Sequence, residues 1–301
     1  MHFRYGFMHT PAPTWRSPVD GQAARLPKRP AVRCRAMSSR RHVLIRLGAA
    51  SAWLACPARL PAQQRNSLAD PLRLAADDAL ADSGLAGHLQ RAFGHDTGVA
   101  VQLLRGPATS VLEAVERGEH DAALTNAPAA ELRLDKHGLV HYRQLIAISD
   151  FILVGPSALA KPLAAGHDMA LAASRLAQAQ APFLSRADGS GTHLAELALW
   201  SAAKVAPAAP WYQPAAAGAS VLEQARQRQA CALVERGAWL AAGNSKGYGV
   251  LAEGDTRMAV EVHVMRSFRA QHPAGKLFVS WLASGKGRQL AASYRGYRAA
   301  A

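Results

Sequence analysis

The sequence predicts an α/β fold in which doubly wound, mostly parallel sheets carry helices on both faces. Short apolar runs of β type alternate with amphipathic helical patterns along most of the 301 residues. Strand followed by helix, repeated, is typical of a parallel sheet with covered faces. Half of the residues are apolar, so the chain can bury one large core or two smaller ones.

Four strands and two helices are predicted in the first half of the fold. The strands are residues 72–75, 99–104, 122–124 and 144–154. The last of them is long enough to cross between domains. Ser83 is a helix cap, because apolar residues follow it at four-residue spacing and Gly98 closes the pattern. The next helix runs from residue 110 to 116 and stops at Gly118.

The second half continues the alternation. In order, the prediction is a strand at 182–185, a helix at 192–204, a strand at 230–234 and one or two helices at 273–294. Two S-x-x-E capping boxes, at residues 110–113 and 220–223, each precede a helix and then an apolar strand. They indicate either two similar half-domains or two chance boxes in an alanine-rich chain.

Residues 1–62 predict an export leader. They carry 11 of the 35 Lys and Arg but only one of the 21 Asp and Glu. The net charge of +14 therefore belongs mostly to this segment and gives no reason to expect a nucleic-acid partner. From Met37 a basic start leads into an apolar stretch that is too short to span a bilayer. Residues 1–36 resemble an overlong gene start, and we expect a periplasmic protein.

The leader leaves the export route open. Arg40 and Arg41 follow a serine in a pattern that resembles the twin-arginine signal, and an ordinary Sec signal is the alternative. Residues 53–56 match a lipid-attachment motif poorly, which makes a lipid anchor at Cys56 the less favoured alternative. Only Cys231 would remain in the mature chain, so no intramolecular disulfide is expected.

The stretch S-R-A-D-G-S-G-T-H at residues 185–193 has the composition of an anion-binding turn. Its glycines let backbone N–H groups converge, the following helix contributes a partial positive charge, and Arg186 offers a planar set of donors. Two alternatives stay open. Ser190, His193 and Asp188 could act as a hydrolytic triad, although no G-x-S-x-G elbow is present. Otherwise Thr192 simply caps the helix while Asp188 pairs with Arg186.

The same stretch carries a resemblance to a known family. The pattern S-R-x-D-x-S-G-T-H-x-x-E-x-x-L-W at residues 185–200 is similar to the signature of the tungstate-binding periplasmic proteins of ABC importers. Further matching blocks follow in order across about residues 70–290. They are D-S-G-L at 82–85, N-A-P-A-A-E at 126–131, D-F-I-L-V-G-P at 150–156, W-Y at 211–212, E-R-G at 235–237 and E-G-D at 253–255.

The resemblance implies a two-lobed, venus-flytrap fold of the periplasmic binding protein type. A small oxyanion of the tungstate or molybdate class would be held between the lobes by loops at helix N-termini and delivered to an ABC permease. The first lobe is expected from residues 68–152 and 243–301, and the second from residues 153–242. The expected ligand contacts are Arg186, Ser190, Gly191, Thr192 and His193, with Thr109 and Ser110 facing them from the other lobe. We expect a monomer with no enzymatic activity, no cofactor and no metal.

The first ligand loop departs from the family. Family members carry Thr-Thr-Thr-Ser after the first strand, whereas Ala76, Asp77, Asp78 and Ala79 stand here. A carboxylate about 4 Å from an anionic ligand costs about 4 kcal/mol per unit charge at an effective dielectric constant near ~20. Asp77 and Asp78 are therefore expected to determine specificity. Three outcomes stay open: the aspartates cap the next helix and point to solvent, the ligand is cationic or carries hydrogen-bond donors, or transport function is lost.

The remaining polar candidates carry weaker signals. The second loop, residues 106–110, departs from the family's G-T-G-Q-A pattern but keeps hydroxyls at Thr109 and Ser110. The 12 histidines show no metal-ligand spacing. Only His193 has a predicted role, as a donor or a positive charge beside the turn. Trp200 is expected in the core.

Overall fold

The computed structural model describes residues 67–300 of the chain. The predicted leader, with its twin arginines and Cys56, lies outside the described residues. The first elements are β1 (Leu72–Asp77), α1 (Asp78–Asp82), α2 (Leu85–Thr97), β2 (Val101–Gly106), α3 (Ala108–Arg117), β3 (Ala122–Thr125), α4 (Pro128–Lys136) and β4 (Val140–Pro156). They are followed by α5 (Met169–Gln178), β5 (Phe183–Ser185), α6 (Gly191–Ala202), β6 (Tyr212–Pro214), α7 (Val221–Arg228), β7 (Ala232–Glu235), α8 (Arg236–Ala242), β8 (Tyr248–Ala252), β9 (Ala259–Ser267), α9 (Pro273–Ala283) and α10 (Gly285–Ala292).

The strands form one large sheet and one small pair. The order in the large sheet is β2-β1-β3-β9-β4-β7, with β8 also paired to β4. β1 pairs in parallel with β2 and β3, as the alternation of strands and helices predicts. β9 runs antiparallel to β3 and β4. This strand is absent from the prediction, although its alternating Val260, Val262 and Val264 carry the signal of a strand.

Helices cover both faces of the sheet in each lobe, which confirms the predicted α/β class and double winding. In the first lobe Phe93 and Phe278 pack on one face, and Leu112 packs on the other. In the second lobe Phe183 belongs to one apolar cluster and Leu222 to another. Burial of these side chains on both faces supplies the main stabilising free energy of each lobe.

The chain passes between the lobes along β4. Residues 140–150 of this strand pair with β9, whereas residues 151–156 pair with β7 and β8. Tyr248 and Met258 pack in the apolar clusters of the second lobe, although residues 243–258 were expected in the first. We propose that the chain returns to the first lobe within β9, after Val260, which still packs in an apolar cluster of the second lobe.

The helix ends follow capping chemistry, with exceptions to the prediction at Ser83 and Ser110. Gly84, rather than Ser83, is the cap residue of α2, although the Ser83 hydroxyl accepts from the N–H of Leu85 at 3.2 Å. Gly98 and Gly118 end α2 and α3 in the left-handed conformation, as expected. Ser220 caps α7 by accepting from the backbone N–H of Glu223 at 3.4 Å. The capping box at Ser110 is wrong, because α3 begins two residues earlier, after Pro107. Of the two capping boxes that suggested similar half-domains, only the one at residues 220–223 is therefore present in the structure.

Two buried residues belong to the core of the second lobe. Trp200 is 2% exposed and packs edge to face against Phe183, with 5.0 Å between the ring centroids. Cys231 is buried and unpaired, and burial raises the pKa of its thiol to about 12, which keeps it protonated and unreactive. Between residues 67 and 300, no helix combines the length and apolar character that crossing a membrane requires.

Candidate functional site

Hydrogen bonds within the preceding turn hold the N-terminus of α6. The Ser190 hydroxyl is the cap and accepts from the backbone N–H of His193 at 3.2 Å. Asp188 accepts from the N–H of Ser190 at 2.9 Å. The Nδ1 atom of His193 accepts from the N–H of Gly189 at 3.0 Å. The helix therefore begins at Gly191 with Ser190, rather than Thr192, as its cap, and this hydroxyl is already used within the turn.

The side chain of Arg186 lies between the two lobes. It is 12% exposed, and its Nε donates to Asp188 Oδ2 at 2.9 Å. Its Nη2 lies 3.7 Å from Oδ2 of Asp78, a residue of the first lobe. Burial raises the pKa of Asp188, but hydrogen bonds from Ser190 and the charge of Arg186 outweigh burial and hold that pKa below its ordinary value. Arg186 therefore lies in the cleft between two carboxylates, one from each lobe.

Asp77 is fully buried at the same place. Its Oδ1 caps α1 by accepting from the N–H of Ala79 at 2.8 Å. Its Oδ2 accepts from the N–H of Gly191, in the second lobe, at 3.3 Å. Burial raises the pKa of Asp77 to about 6, against the lowering effects of the Ala79 hydrogen bond and of Arg186. Asp77 does cap the next helix, but the expectation that such a cap points to solvent is wrong here, because its exposure is 0%.

Asp78 pairs with arginines from both lobes. Its Oδ1 accepts from Arg105 Nε at 2.8 Å, and its Oδ2 faces Arg186. Arg105 also donates to Asp82 at 2.7 Å. The Asp78 side chain is 18% exposed, so this carboxylate also faces the cleft rather than open solvent.

Three buried polar atoms at the contact between the lobes have no hydrogen-bond partner within residues 67–300. They are Thr192 Oγ1, Asn126 Oδ1 and Glu235 Oε1, and each residue is 1% exposed. The Nδ2 of Asn126 donates to Glu235 Oε2 at 2.8 Å across the lobes. Burial raises the pKa of Glu235 to about 7, and the charge of Asp77 adds to the effect. A buried polar atom without a partner costs about 1–3 kcal/mol, so a solute that hydrogen-bonds to the Thr192 hydroxyl, which lines a cavity at this place, would stabilise the contact between the lobes.

Glycines allow the lobes to approach closely. A Cβ atom on Gly191 would lie 2.7 Å from Asn126 Cγ and 2.9 Å from the Asn126 backbone oxygen. A Cβ on Gly189 would lie 2.6 Å from Thr109 Oγ1, and Gly189 has a φ of +75°, which side chains of L-residues rarely allow. The N–H of Thr109 donates to the Gly189 carbonyl at 3.3 Å. Thr109 therefore faces the turn from the first lobe, whereas Ser110 is exposed in the first turn of α3.

Two adjoining cavities open between the lobes. The larger, of about 490 Å³, is lined by Asp78, Asp82, Arg105, Arg186, Asp188 and neighbouring residues that include the segment 215–221. The smaller, of about 210 Å³, is lined by residues that include Arg186, Thr192 and Glu235. Arg186 lines both cavities, so both are parts of one site.

The alternative of a hydrolytic triad has no geometric support. The Ser190 hydroxyl accepts from the His193 backbone rather than donating to its ring, and Asp188 bonds to Arg186 and to the Ser190 backbone. The Nδ1 atom of His193 accepts from the N–H of Gly189, so the Ser190 hydroxyl is not its hydrogen-bond partner. Among the described residues, no group of three or more His, Cys, Asp or Glu could hold a metal ion.

Four residues of the site were not predicted: Asp82, Arg105, Asn126 and Glu235. Asn126 directly follows β3, and Glu235 ends β7. The carboxyl ends of strands are where open α/β sheets collect their ligands. That position, together with a polar residue after an apolar run, is the signal that could have identified Asn126 and Glu235.

Comparisons with known proteins agree with this architecture. The sequence matches the PBP superfamily domain over residues 61–285. It is 30% identical over 229 residues, 73% of this chain and 80% of the relative, to the tungstate-binding protein TupA of Peptoclostridium acidaminophilum. Among solved structures it is similar to the tungstate ABC transporter protein from Geobacter sulfurreducens, with a TM-score of 0.66 and 26% identity over 75% of this chain and 99% of that chain. The fold is also similar to that of TupA from Desulfovibrio alaskensis G20, with a TM-score of 0.62 and 23% identity over 77% of this chain and 100% of that chain. The chain therefore belongs to the PBP superfamily and, within it, to the family of tungstate-binding periplasmic proteins of ABC importers.

Proposed function

We propose that this protein is the solute-binding component of an ABC importer and takes a small oxyanion of the tungstate or molybdate class with altered specificity. The oxyanion binds between the lobes, against the first turn of α6 and Arg186. The leader exports the protein to the periplasm, where it acts as a monomer, delivers the solute to a permease and catalyses no reaction.

The buried hydroxyl of Thr192 is the observation that carries this proposal. It lies in the first turn of α6, has no hydrogen-bond partner in the described part of the chain, and belongs to a residue that lines the same cavity as Arg186. A helix N-terminus favours an anion by about 0.3–1 kcal/mol, and each hydrogen bond to a charged group adds about 1.5–3 kcal/mol. A few such contacts together suffice for micromolar binding.

Asp77 and Asp78 are the basis for the altered specificity. Asp77 already accepts from the N–H of Gly191, and Asp78 already faces Arg186. An oxyanion placed at this amide would lie beside an ionised carboxylate, at a cost of about 4 kcal/mol for a unit charge at ~4 Å. That cost is larger than the favourable free energy that one hydrogen bond to the oxyanion would contribute. We therefore expect the protein to bind tungstate more weakly at pH 8 than family members with hydroxyl residues in this loop.

The first test is a ligand panel of tungstate, molybdate, sulfate and phosphate, measured by thermal shift and calorimetry at pH 5 and pH 8. A ligand at ~1,000 times its dissociation constant should add about 4 kcal/mol to the free energy of unfolding. Arg186→Gln should abolish the effect, whereas the control Arg91→Gln, which changes an exposed arginine on α2, should not. Failure of every anion at both pH values would refute the proposal.

The second test reverses the departure from the family. Asp77→Thr combined with Asp78→Thr removes both carboxylates and restores hydroxyls, so tungstate affinity at pH 8 should rise. Unchanged affinity would show that these carboxylates do not oppose the ligand.

A cationic or donor-bearing solute is the second candidate. It is favoured by one observation: Asp78, Asp82 and Asp188 line the larger cavity together with only two arginines, Arg105 and Arg186. Small cations therefore belong in the same panel. A shift with a cation and with none of the anions would select this candidate over the oxyanion.

A further inference from the structure

We propose that the Asp77 carboxylate is the chain's own anion at the N-terminus of α6, and that a solute oxyanion binds there only when Asp77 takes up a proton. This inference rests on the proposed function and adds to it a coupling between oxyanion and proton. One proton would enter the site with each oxyanion.

Asp77 lies where the two lobes meet. The residue ends β1 in the first lobe, yet its Oδ2 accepts from the Gly191 N–H, which belongs to the first residue of α6 in the second lobe. The first N–H groups of a helix have no partner within it and attract anions. Asp77 therefore makes the contact that an oxyanion would make, and this contact joins the two lobes.

Most backbone N–H groups at the start of α6 already donate to acceptors within the turn. The N–H groups of Gly189, Ser190 and His193 all donate to side chains of the turn itself. The N–H of Gly191 differs from these, because its acceptor comes from the other lobe. Displacing Asp77 frees this amide beside the unpartnered Thr192 hydroxyl.

Charged groups from several elements surround the Asp77 carboxylate. Arg186 favours its ionised form, whereas Asp78 on its own helix and Glu235 at the end of β7 oppose it. Tyr297, from the C-terminal segment, also senses the charge of Asp77. A dianion added to this buried group of carboxylates would be repelled by Asp77 and Glu235, and protonation removes that repulsion. A protonated carboxyl also carries an O–H that donates to an oxyanion oxygen.

The inter-lobe contact can be tested without any solute. Pairing ¹³C-carbonyl serine with ¹⁵N-glycine selects the three Ser–Gly peptide bonds, at residues 83–84, 190–191 and 284–285. We expect the Gly191 amide resonance to titrate with a midpoint near pH 6, as burial raises the pKa of Asp77 to about 6. This titration should vanish in Asp77→Asn and persist in Asp135→Asn, which removes an exposed carboxylate of α4. A Gly191 amide that is insensitive to pH, or one that still titrates in Asp77→Asn, would overturn the inference.

The coupling itself is measured by calorimetry with molybdate and with sulfate, in buffers of different ionisation enthalpy at pH 8. We expect uptake of about one proton per bound anion, and an affinity that rises up to about 100-fold between pH 8 and pH 5, because only the protonated fraction is competent. Asp77→Asn should bind without proton uptake and with little dependence on pH, whereas the control Asp135→Asn should keep the uptake.

The possible failures can be distinguished. Binding without proton uptake in the wild-type protein would overturn the coupling and leave the proposed function intact. Uptake that is lost in Glu235→Gln but kept in Asp77→Asn would assign the proton to Glu235 and overturn the role of Asp77. Absence of binding at both pH values would overturn the proposed function and the coupling together, while the amide titration still reports on the contact.

Discussion

Replacing Asp77 by Asn should reduce the pH dependence of the free energy of unfolding. Asn keeps an oxygen that can cap α1, but it removes the charge that burial disfavours. In the folded protein, burial raises the pKa of Asp77 from 3.8 to about 6 and that of Glu235 from 4.5 to about 7. The folded state therefore binds more protons than the unfolded state between about pH 4 and pH 7, and the free energy of unfolding falls as pH rises through this window.

The magnitude follows from these values. Between pH 8 and pH 5, Asp77 should add roughly 1 kcal/mol to the free energy of unfolding and Glu235 roughly 2–3 kcal/mol. His120 acts in the opposite sense, because burial lowers its pKa. Asp96 and Asp255 have pKa values lowered to about 2, so their stabilising effect is lost only at more acidic pH. The contributions of His120, Asp96 and Asp255 cancel when the wild-type protein is compared with the variant. Part of the Glu235 contribution is lost together with Asp77, because the charge of Asp77 helps to raise the pKa of Glu235.

The assay is urea unfolding at pH 5, 6.5 and 8. The wild-type protein should gain stability as the pH falls, and Asp77→Asn should lose at least the roughly 1 kcal/mol contributed by Asp77 from this change. The control Asp135→Asn should follow the wild-type curve. The same pH dependence in Asp77→Asn and in the wild-type protein would refute the argument that this carboxylate is buried and ionises at a cost.

Two further substitutions test the contact between the lobes. Gly191→Ala places a Cβ within 3 Å of both the side chain and the backbone of Asn126, so the substitution should keep the lobes apart. We expect the variant to have a larger radius of gyration in small-angle scattering and to show no response to molybdate. The control is Gly285→Ala, because a Cβ at Gly285 would have no atom within 4 Å. A Gly191→Ala protein that is as compact as the wild type and binds molybdate would contradict the close packing of Gly191 against Asn126. Thr192→Val replaces the unpartnered hydroxyl by a methyl group of similar size. It should leave stability unchanged or raise it by about 1 kcal/mol while molybdate affinity falls ~10-fold or more, and calorimetry that finds full affinity would exclude this hydroxyl as a contact.

Local chemistry made the α6 turn predictable from sequence. Glycines, a capping serine and an arginine within nine residues determine the turn, and the structure uses Ser190 as the cap. The partners of this turn could not be predicted in the same way. Asp77 and Gly191 are 114 residues apart, and Asn126 and Glu235 are 109 apart. Such contacts depend on how the two lobes meet, which no local pattern records.

The fold class was predictable because periodicity acts within each element, whereas the lobe boundary depends on pairing. The run at residues 248–252 forms β8, which pairs with residues 153–156 of β4, and this pairing is the basis for the proposed boundary. The burial of Asp77 could not be predicted from the local sequence either. Its capping of α1 is local, but its burial results from contact with the second lobe.

The central claim is that an oxyanion binds between the lobes at the N-terminus of α6. The most direct test is a crystal structure of the protein with tungstate at pH 5, recorded at the tungsten absorption edge. The strongest anomalous peak should lie within hydrogen-bonding distance of the Thr192 hydroxyl and the Gly191 amide, next to Arg186. A bound tungstate located elsewhere, with this cleft filled only by water, would contradict the account.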